Sequence, residues 1–363
     1  MKIISIFNNK GGVGKTTLTF HLAHALAELG HKTLIVDMDP QCNVTILGLG
    51  ETTLARVWHD EEDFIDDFAA AYGKMPPADF EKLMKSPRSI HFLLKPTENG
   101  LSDLTTFSPP FALASNLHLI PGRLTMHMYE DVISRRWSDV YQGDPLAVRT
   151  MTKARDIAVN YAKMYGYEFV IMDTSPSLGA LNKLLISTAD GFMIPCMPDM
   201  FSLYGIKNIG NALTAWKKQF DTIYHLLSSD KRAAFPASFV KLLGFTLFNA
   251  KKYTGGEWDL ATAHYNFAQQ IPGAIRNYIQ PEIRDLLPDD VLTNPIGKTA
   301  IMHTHNTMPA MAQRYNTPMW LVPRTASGAD ASTVGGNRST YEDTQTKYHT
   351  FAEDFLSRVN FLG

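Results

Sequence analysis

Eight residues near the amino terminus, Lys10-Gly11-Gly12-Val13-Gly14-Lys15-Thr16-Thr17, have the types and spacing to cradle a chain of phosphates. Glycines let successive backbone N–H groups turn inward around an anion, because no Cβ resists the conformations such a turn needs. Lys15 would set a cation against the β- and γ-phosphates, and the Thr16 hydroxyl is an oxygen ligand for Mg²⁺. A glycine turn can carry Gly-Lys-Thr by accident, so the reading depends on what flanks the loop. Lys2–Phe7 (KIISIF) is β-branched and apolar, the character of a buried parallel strand. From Lys15 onward, Leu18, Leu22, Ala25, Leu26 and Leu29 recur at helical spacing, and Gly30 is a natural stop. The loop therefore leads a strand into the start of a helix, whose positive dipole end favours a phosphate. A nucleoside triphosphate is the ligand implied.

Carboxylates stand where such a loop would need them. Thr33–Val36 is a second strand, followed at once by Asp37, and Glu168–Asp173 (EFVIMD) is another that ends in Asp173. A strand-terminal aspartate can merely cap a neighbouring helix. Two of them at adjacent strand ends beside a phosphate loop point instead to a metal. Asp173 would hold Mg²⁺ through water, in keeping with hard oxygen coordination. Phosphoryl transfer to water needs neutralised charge and a positioned nucleophile more than covalent help. Lys15, the metal and the loop amides supply the first, and Asp39 is the candidate to hold the attacking water, facing the metal with Thr16 and Asp173. Asp37 is expected to support the loop.

The loop departs from the general pattern G-x-x-x-x-G-K-[ST]: Asn9 stands where the first glycine would, and Lys10 precedes the glycine pair. In this it resembles the deviant Walker A ATPases of the ParA/MinD superfamily, whose loop reads KGGxGK[ST]. Asp37-Met38-Asp39-Pro40-Gln41 resembles that family's first switch, and Val170–Gly179 (VIMDTSPSLG) its Walker B strand and second switch. Ala189-Asp190, Ile194-Pro195 and Ser202-Leu203-Tyr204-Gly205 fit the ParA side of the family. The resemblance covers residues 1–50 and 115–220. It implies ATP and Mg²⁺ as cofactors, slow ATP hydrolysis, and a water held by Asp39. Lys10 read alone is a solvated cation or a phosphate contact within its own chain. In the resembling family the signature lysine crosses onto the partner's nucleotide in an ATP-bound homodimer, which places Lys10 with Lys15 and Asp39 in the catalytic set. A stimulating partner of the ParB kind and nonspecific double-stranded DNA are the implied partners. Asn249 closes a strand-like LLGFTLFN, where nucleotide-binding α/β folds place adenine contacts.

The remaining elements describe what must position these groups. The expected fold is α/β, a P-loop NTPase with a twisted, mainly parallel sheet flanked by helices, as one domain over 1–363. Further strands are expected at 117–121, 192–195, 242–248 and 319–322, and helices near 148–165 and 203–220. Residues 51–103 hold six basic and eleven acidic residues, a net of −5 against −2 for the whole chain. Residues 51–110 read as an acidic helical insertion at one edge of the sheet, with a solvated cap preferred to a binding module. Residues 325–340 (TASGADASTVGGNRST) have the composition of a mobile linker, and Phe351, Phe355 and Val359 mark a terminal amphipathic helix, so 325–363 forms a C-terminal extension.

Composition narrows the function. With 363 residues, 45% hydrophobic and 19% charged, the chain can bury a sizeable core. Two cysteines, Cys42 and Cys196, cannot build a disulfide framework or a cluster site, which argues against an iron–sulfur reductase. The absence of a long apolar run and of a signal segment leads to the expectation of a cytoplasmic protein, nucleoid-associated if it binds DNA. The tail TFAEDFLSRVNFLG is not basic enough to seek an anionic bilayer, so a MinD-like membrane role is disfavoured. His303 and His305, and His21 and His24, have ligand-like spacing without neighbouring carboxylates, and read as core or surface histidines. Lys251, Lys252, Arg276, Arg284, Lys298, Arg314 and Arg324 are the basic residues available to DNA, interleaved with Asp285, Asp289 and Asp290. Two functions stay open. One is a dimerising ATPase that partitions or positions DNA or another cargo; the other is a related regulatory ATPase that recruits an effector protein through the insertion.

Overall fold

Short β-branched runs buried on both faces make a parallel sheet, and eight strands form one here. The computed structural model describes residues 1–303 and 307–363; His305 lies outside the described residues. The strands are β1 (Lys2–Ile6), β2 (Thr33–Asp37), β3 (Phe111–Ala114), β4 (Leu117–Ile120), β5 (Phe169–Asp173), β6 (Gly191–Cys196), β7 (Lys241–Ala250) and β8 (Ala300–His303). Their order is β3-β4-β2-β5-β1-β6-β7-β8. All pairs are parallel except the antiparallel β3–β4 edge, which the sequence did not signal. The register sets Ile6 opposite Asp173 and Asp37 opposite Asp173. Three central strands thus end at one level, and the loops that follow them meet there.

Alternation sends the strand side chains to two cores. Ile4, Ile6 and Ile35 face α1 (Lys15–Glu28), α2 (Asn43–Leu49) and the C-terminal helix Arg338–Val359. Ile3, Leu34 and Val36 face a larger layer that includes α3 (Glu51–Asp66), α4 (Phe68–Lys74), α5 (Pro77–Met84) and α6 (Ile90–Glu98). That layer continues with α7 (Met126–Arg136), α8 (Pro145–Tyr165), α9 (Ala180–Thr188) and α10 (Met200–Leu226). Helices α3 and α5 turn acidic residues to solvent, but the segment α3 to α6 does more than cap the sheet. Phe64, Phe68, Ile90, Phe92 and Leu94 are buried in the common core. One of the acids, Glu61, is fully buried, where it accepts from the Ser89 amide (2.7 Å) and hydroxyl (2.6 Å).

Two expectations for the last third are corrected. Met319–Leu321 is a 3-10 turn running into a short helix at Val322–Thr325, not a strand; Pro323 suits a helix start. Trp320 donates to Glu28 Oε1 at 2.7 Å, which fixes the segment on α1, and β8 takes the sheet edge. Residues 325–340 are not a linker either, since Ala329–Gly336 is helical and the terminal helix begins at Arg338. Small polar residues hid a seven-residue ladder of buried side chains, Val334, Tyr341, Tyr348 and Phe355, whose packing outweighs the local preference. Arg358, 1% exposed, locks the end of this helix to the sheet. It donates to the Leu243 and Asn294 carbonyls, each at 3.2 Å, and pairs with Asp354 at 3.1 Å.

Removing one partner of a buried, hydrogen-bonded pair strands the rest. Arg358→Ala is therefore expected to cost about 3 kcal/mol in urea denaturation, whereas Arg338→Ala, on the exposed start of the same helix, should stay within about 0.5 kcal/mol of wild type.

Candidate functional site

Where β1, β2 and β5 end, a cleft of ≈520 Å³ opens over the loop between β1 and α1. Gly11, Gly12, Gly14, Lys15, Thr16 and Thr17 line it, together with Asp39, Pro309, Ala310 and Gln313. Gly12 and Gly14 have φ of 75° and 80°, and a Cβ at Gly14 would lie 2.6 Å from the Phe248 ring. Glycine is required there on both counts. Val13 is fully buried and pins the loop from beneath. Gly14 caps α1 without a side-chain hydrogen bond, so the first amides of the helix are free to meet an anion.

Lys15 lies nearly buried, with Nζ 3.1 Å from the Lys10 carbonyl. Burial lowers its pKa, against the pull of Asp173 and Asp39. Such a cation, stripped of water, gains strongly from a phosphate. The Thr16 hydroxyl donates to Asp173 Oδ2 at 3.0 Å and the Thr19 hydroxyl to Oδ1 at 2.8 Å. Burial pushes Asp173 up to about 6, opposed by the Thr19 bond and reinforced by Asp39. Asp39 is raised as well, chiefly by burial. Its Oδ1 accepts the Gln41 amide at 2.9 Å, and Oδ2 has no hydrogen-bond partner among the described residues. Asp37 is committed inside the protein: Oδ1 accepts the Asp39 amide (3.1 Å), and Oδ2 accepts the Thr45 amide (3.0 Å) and hydroxyl. Asp37 thus shapes the loop that carries Asp39.

Among the described residues no group of three or more His, Cys, Asp or Glu is placed to hold a metal alone. The donors present, a hydroxyl and carboxylates beside a phosphate cradle, suit Mg²⁺, which keeps water and phosphate oxygens in its shell. Lys10 turns away from the cleft. It forms an ion pair with Asp199, the N-cap of α10, and lies 5.5 Å from the Phe201 ring centroid. Asn249 has φ of 56°, is exposed, and is not among the described residues lining the cleft.

Several residues that organise the site escaped sequence reading. Asn8 is buried, donates to the Pro195 carbonyl (2.7 Å) and accepts the Lys10 amide (3.0 Å), aiming the loop. Its place directly before the loop in Asn8-Asn9-Lys10 was the available signal. Asn182 reaches back from α9 to the Ser175 and Ser177 carbonyls at 2.7 and 2.8 Å, bracing the second switch. His21 and His24 are core residues of α1. His21 is pushed down to about 4 by burial, accepts the Met319 amide at 3.1 Å and so donates from Nδ1 to the Thr17 carbonyl. Cys42 and Cys196 are buried, and burial raises both thiols far from reactivity. Of the basic residues, Arg276, Arg284 and Arg314 are paired with Asp289, Asp285 and Asp330, while Lys251, Lys252 and Arg324 are exposed. No helix among the described residues is long and apolar enough to cross a membrane.

Comparison with known proteins agrees with this geometry. The AAA_31 family, an AAA domain, matches residues 1–83 and 103–225, more than half of the chain. An uncharacterised protein of Methanocaldococcus jannaschii is 31% identical over 209 residues, 57% of this chain and 63% of that protein. The chromosome partitioning protein ParA of Myxococcus xanthus is 27% identical over 218 residues, 60% of this chain and 59% of that one. The chain thus spans less than two thirds of the length of either relative. A Corynebacterium diphtheriae protein of solved structure superposes with a TM-score of 0.59 at 25% identity, over 84% of this chain and 93% of that one. The ParA of pNOB8, solved bound to nonspecific DNA, shares the fold with a TM-score of 0.55 at 16% identity, over 99% of this chain and 98% of that one. With the matched segments running through the phosphate loop, both strand-end aspartates and the lysine ahead of the glycine pair, the chain belongs to the ParA/MinD-type family of P-loop ATPases.

Proposed function

We propose that the chain binds Mg²⁺·ATP in the cleft over residues 10–17, dimerises upon it and hydrolyses it slowly, under a partner's stimulation, to partition or position DNA or another cargo. The observation that carries this reading is the meeting of Lys15, the Thr16–Asp173 pair and Asp39 at the mouth of one phosphate loop. Lys15 and the loop amides would hold the β- and γ-phosphates, and Thr16 and Asp173 would hold the metal, which supplies charge neutralisation when bound. The free oxygen of Asp39 would accept a hydrogen bond from water and aim it at the terminal phosphorus. Lys10 would exchange Asp199 for the nucleotide of a second copy, and dimerisation would follow from ATP. Asn249, at the carboxyl end of β7, is the adenine-side candidate by position. The partitioning role and the nonspecific DNA are supported by the names of the Myxococcus and pNOB8 proteins, and they come to this chain as part of the proposal.

Loop amides cannot replace the charge of Lys15. Mg·ATP at about 100 times its dissociation constant should stabilise wild type by ~2.7 kcal/mol, and Lys15→Ala should lose that shift in thermal melts; an equal shift in both would refute the site. Asp39→Ala keeps every phosphate contact, so it should bind ATP, hydrolyse almost none and accumulate as a dimer on size-exclusion chromatography. Wild-type turnover in that variant would remove Asp39 from the mechanism. For duplex DNA, contact with about four to six phosphates implies a log–log salt slope near −4 to −5. In gel shifts with ATP, Arg324→Glu should weaken all sequences alike, and an absence of binding at low salt would favour the effector-recruiting reading.

A further inference from the structure

The outer side of α4 and α5 carries two clefts that the nucleotide chemistry does not use. One, of ≈650 Å³, is walled by Phe68, Tyr72, Phe80, Met84 and Leu104. Phe68 and Tyr72 stack at 6.1 Å, and Tyr72 meets Phe80 edge-on at 4.8 Å, yet Tyr72 remains 53% exposed. The other, of ≈450 Å³, lies on the opposite flank of α4 and is lined by Asp63, Asp66, Asp67 and Asp79 against a single cation, Lys74. Asp67 is used as the cap of α4, accepting the Ala70 amide at 3.0 Å. Asp63, Asp66 and Asp79 have no ion-pair partner among the described residues.

Each feature alone is unfavourable in water. The exposed face of Tyr72, beside the half-buried Phe80, forgoes about 25 cal/mol for every Å² it could bury, and unpaired aspartates crowded around one helix repel one another. A single kind of ligand relieves both. Apolar side chains would fill the aromatic groove, and lysine or arginine side chains would cross α4 to the carboxylates, with the open face of Tyr72 adding a cation–π contact. The two clefts straddle a helix instead of closing into one cavity, which fits a stretch of polypeptide better than a small molecule.

We propose that the α4–α5 edge docks a short, basic, amphipathic segment of another protein, anchored in the Phe68–Tyr72–Phe80 groove and paired with Asp63, Asp66 and Asp79. The docking does not depend on the nucleotide reading. The test uses the full chain and three fluorescein-labelled peptides of about 18 residues: an amphipathic Leu/Lys helix, the same residues in a non-amphipathic order, and an amphipathic Leu/Glu helix. Anisotropy should show saturable binding of the Leu/Lys helix alone. Affinity should fall at least about tenfold in Tyr72→Ala and also in Asp79→Lys, two exposed positions whose change leaves the core intact. Lys15→Ala should bind the peptide as wild type does, which separates this proposal from the ATP site. No saturable binding, equal affinity for the two Leu/Lys orders, or unchanged affinity in both Tyr72→Ala and Asp79→Lys would overturn it.

Discussion

A carboxylate sealed at the end of the central strand governs this site. Asp173 is fully buried, with one oxygen satisfied by Thr16 and the other by Thr19. A buried carboxylate without such partners would be driven to neutrality or out of the fold. The two hydroxyls therefore tie the end of β5 to the first turns of α1, which begins where the phosphate loop ends. Because β5 lies between β1 and β2 with their ends in register, the same contact sets the height of the loop relative to Asp37 and Asp39. Burial also holds Asp173 up to about 6 and lowers Lys15, so both groups are short of the charge that a metal and a phosphate would bring.

The surrounding structure keeps that geometry rigid on one side and adjustable on the other. Asn8 and Asn182 are engaged with backbone atoms of the loop and the second switch, Thr45 donates its amide and hydroxyl to the Asp37 carboxylate, and these bonds leave those segments little freedom. Lys10 is held differently, by an ion pair with Asp199 in which both side chains keep some contact with water. Pairs of that kind contribute little net stability, which makes Lys10 the part of the loop most easily transferred to another anion. The acidic helices stand apart from this machinery, packed by their inner faces into the sheet's larger core while Tyr72 and the aspartates face outward.

Much of this was legible in the residues themselves. Lys10–Thr17, Asp39 and Asp173 could be read as a candidate site because a phosphate loop restricts residue type and spacing together, and the parallel sheet followed from the β-branched runs that precede them. What escaped depended on distant packing. Asn8 acts through a bond to Pro195, far along the chain; Asn182, whose partners Ser175 and Ser177 lie close in the chain, is like it a lone asparagine, which carries no periodic signal. The helix Ala329–Gly336 was hidden by its glycines and small polar residues, since the contacts that hold Val334 and Tyr341 are made with a core assembled from elsewhere. The strand expected at 319–322 failed for a related reason: short apolar runs do not distinguish a strand from a buried turn, and the bond from Met319 to His21 decided between them.

The most direct test of the account is a crystal structure of the chain grown with Mg²⁺ and a nonhydrolysable ATP analogue. The terminal phosphate should lie within hydrogen-bond distance of Lys15 Nζ and the loop amides, with the metal on Thr16 Oγ1 and Asp173 reaching it through water. An analogue bound elsewhere, or one seated over the loop while Lys15 still rests on the Lys10 carbonyl and Thr16 on Asp173, would contradict it.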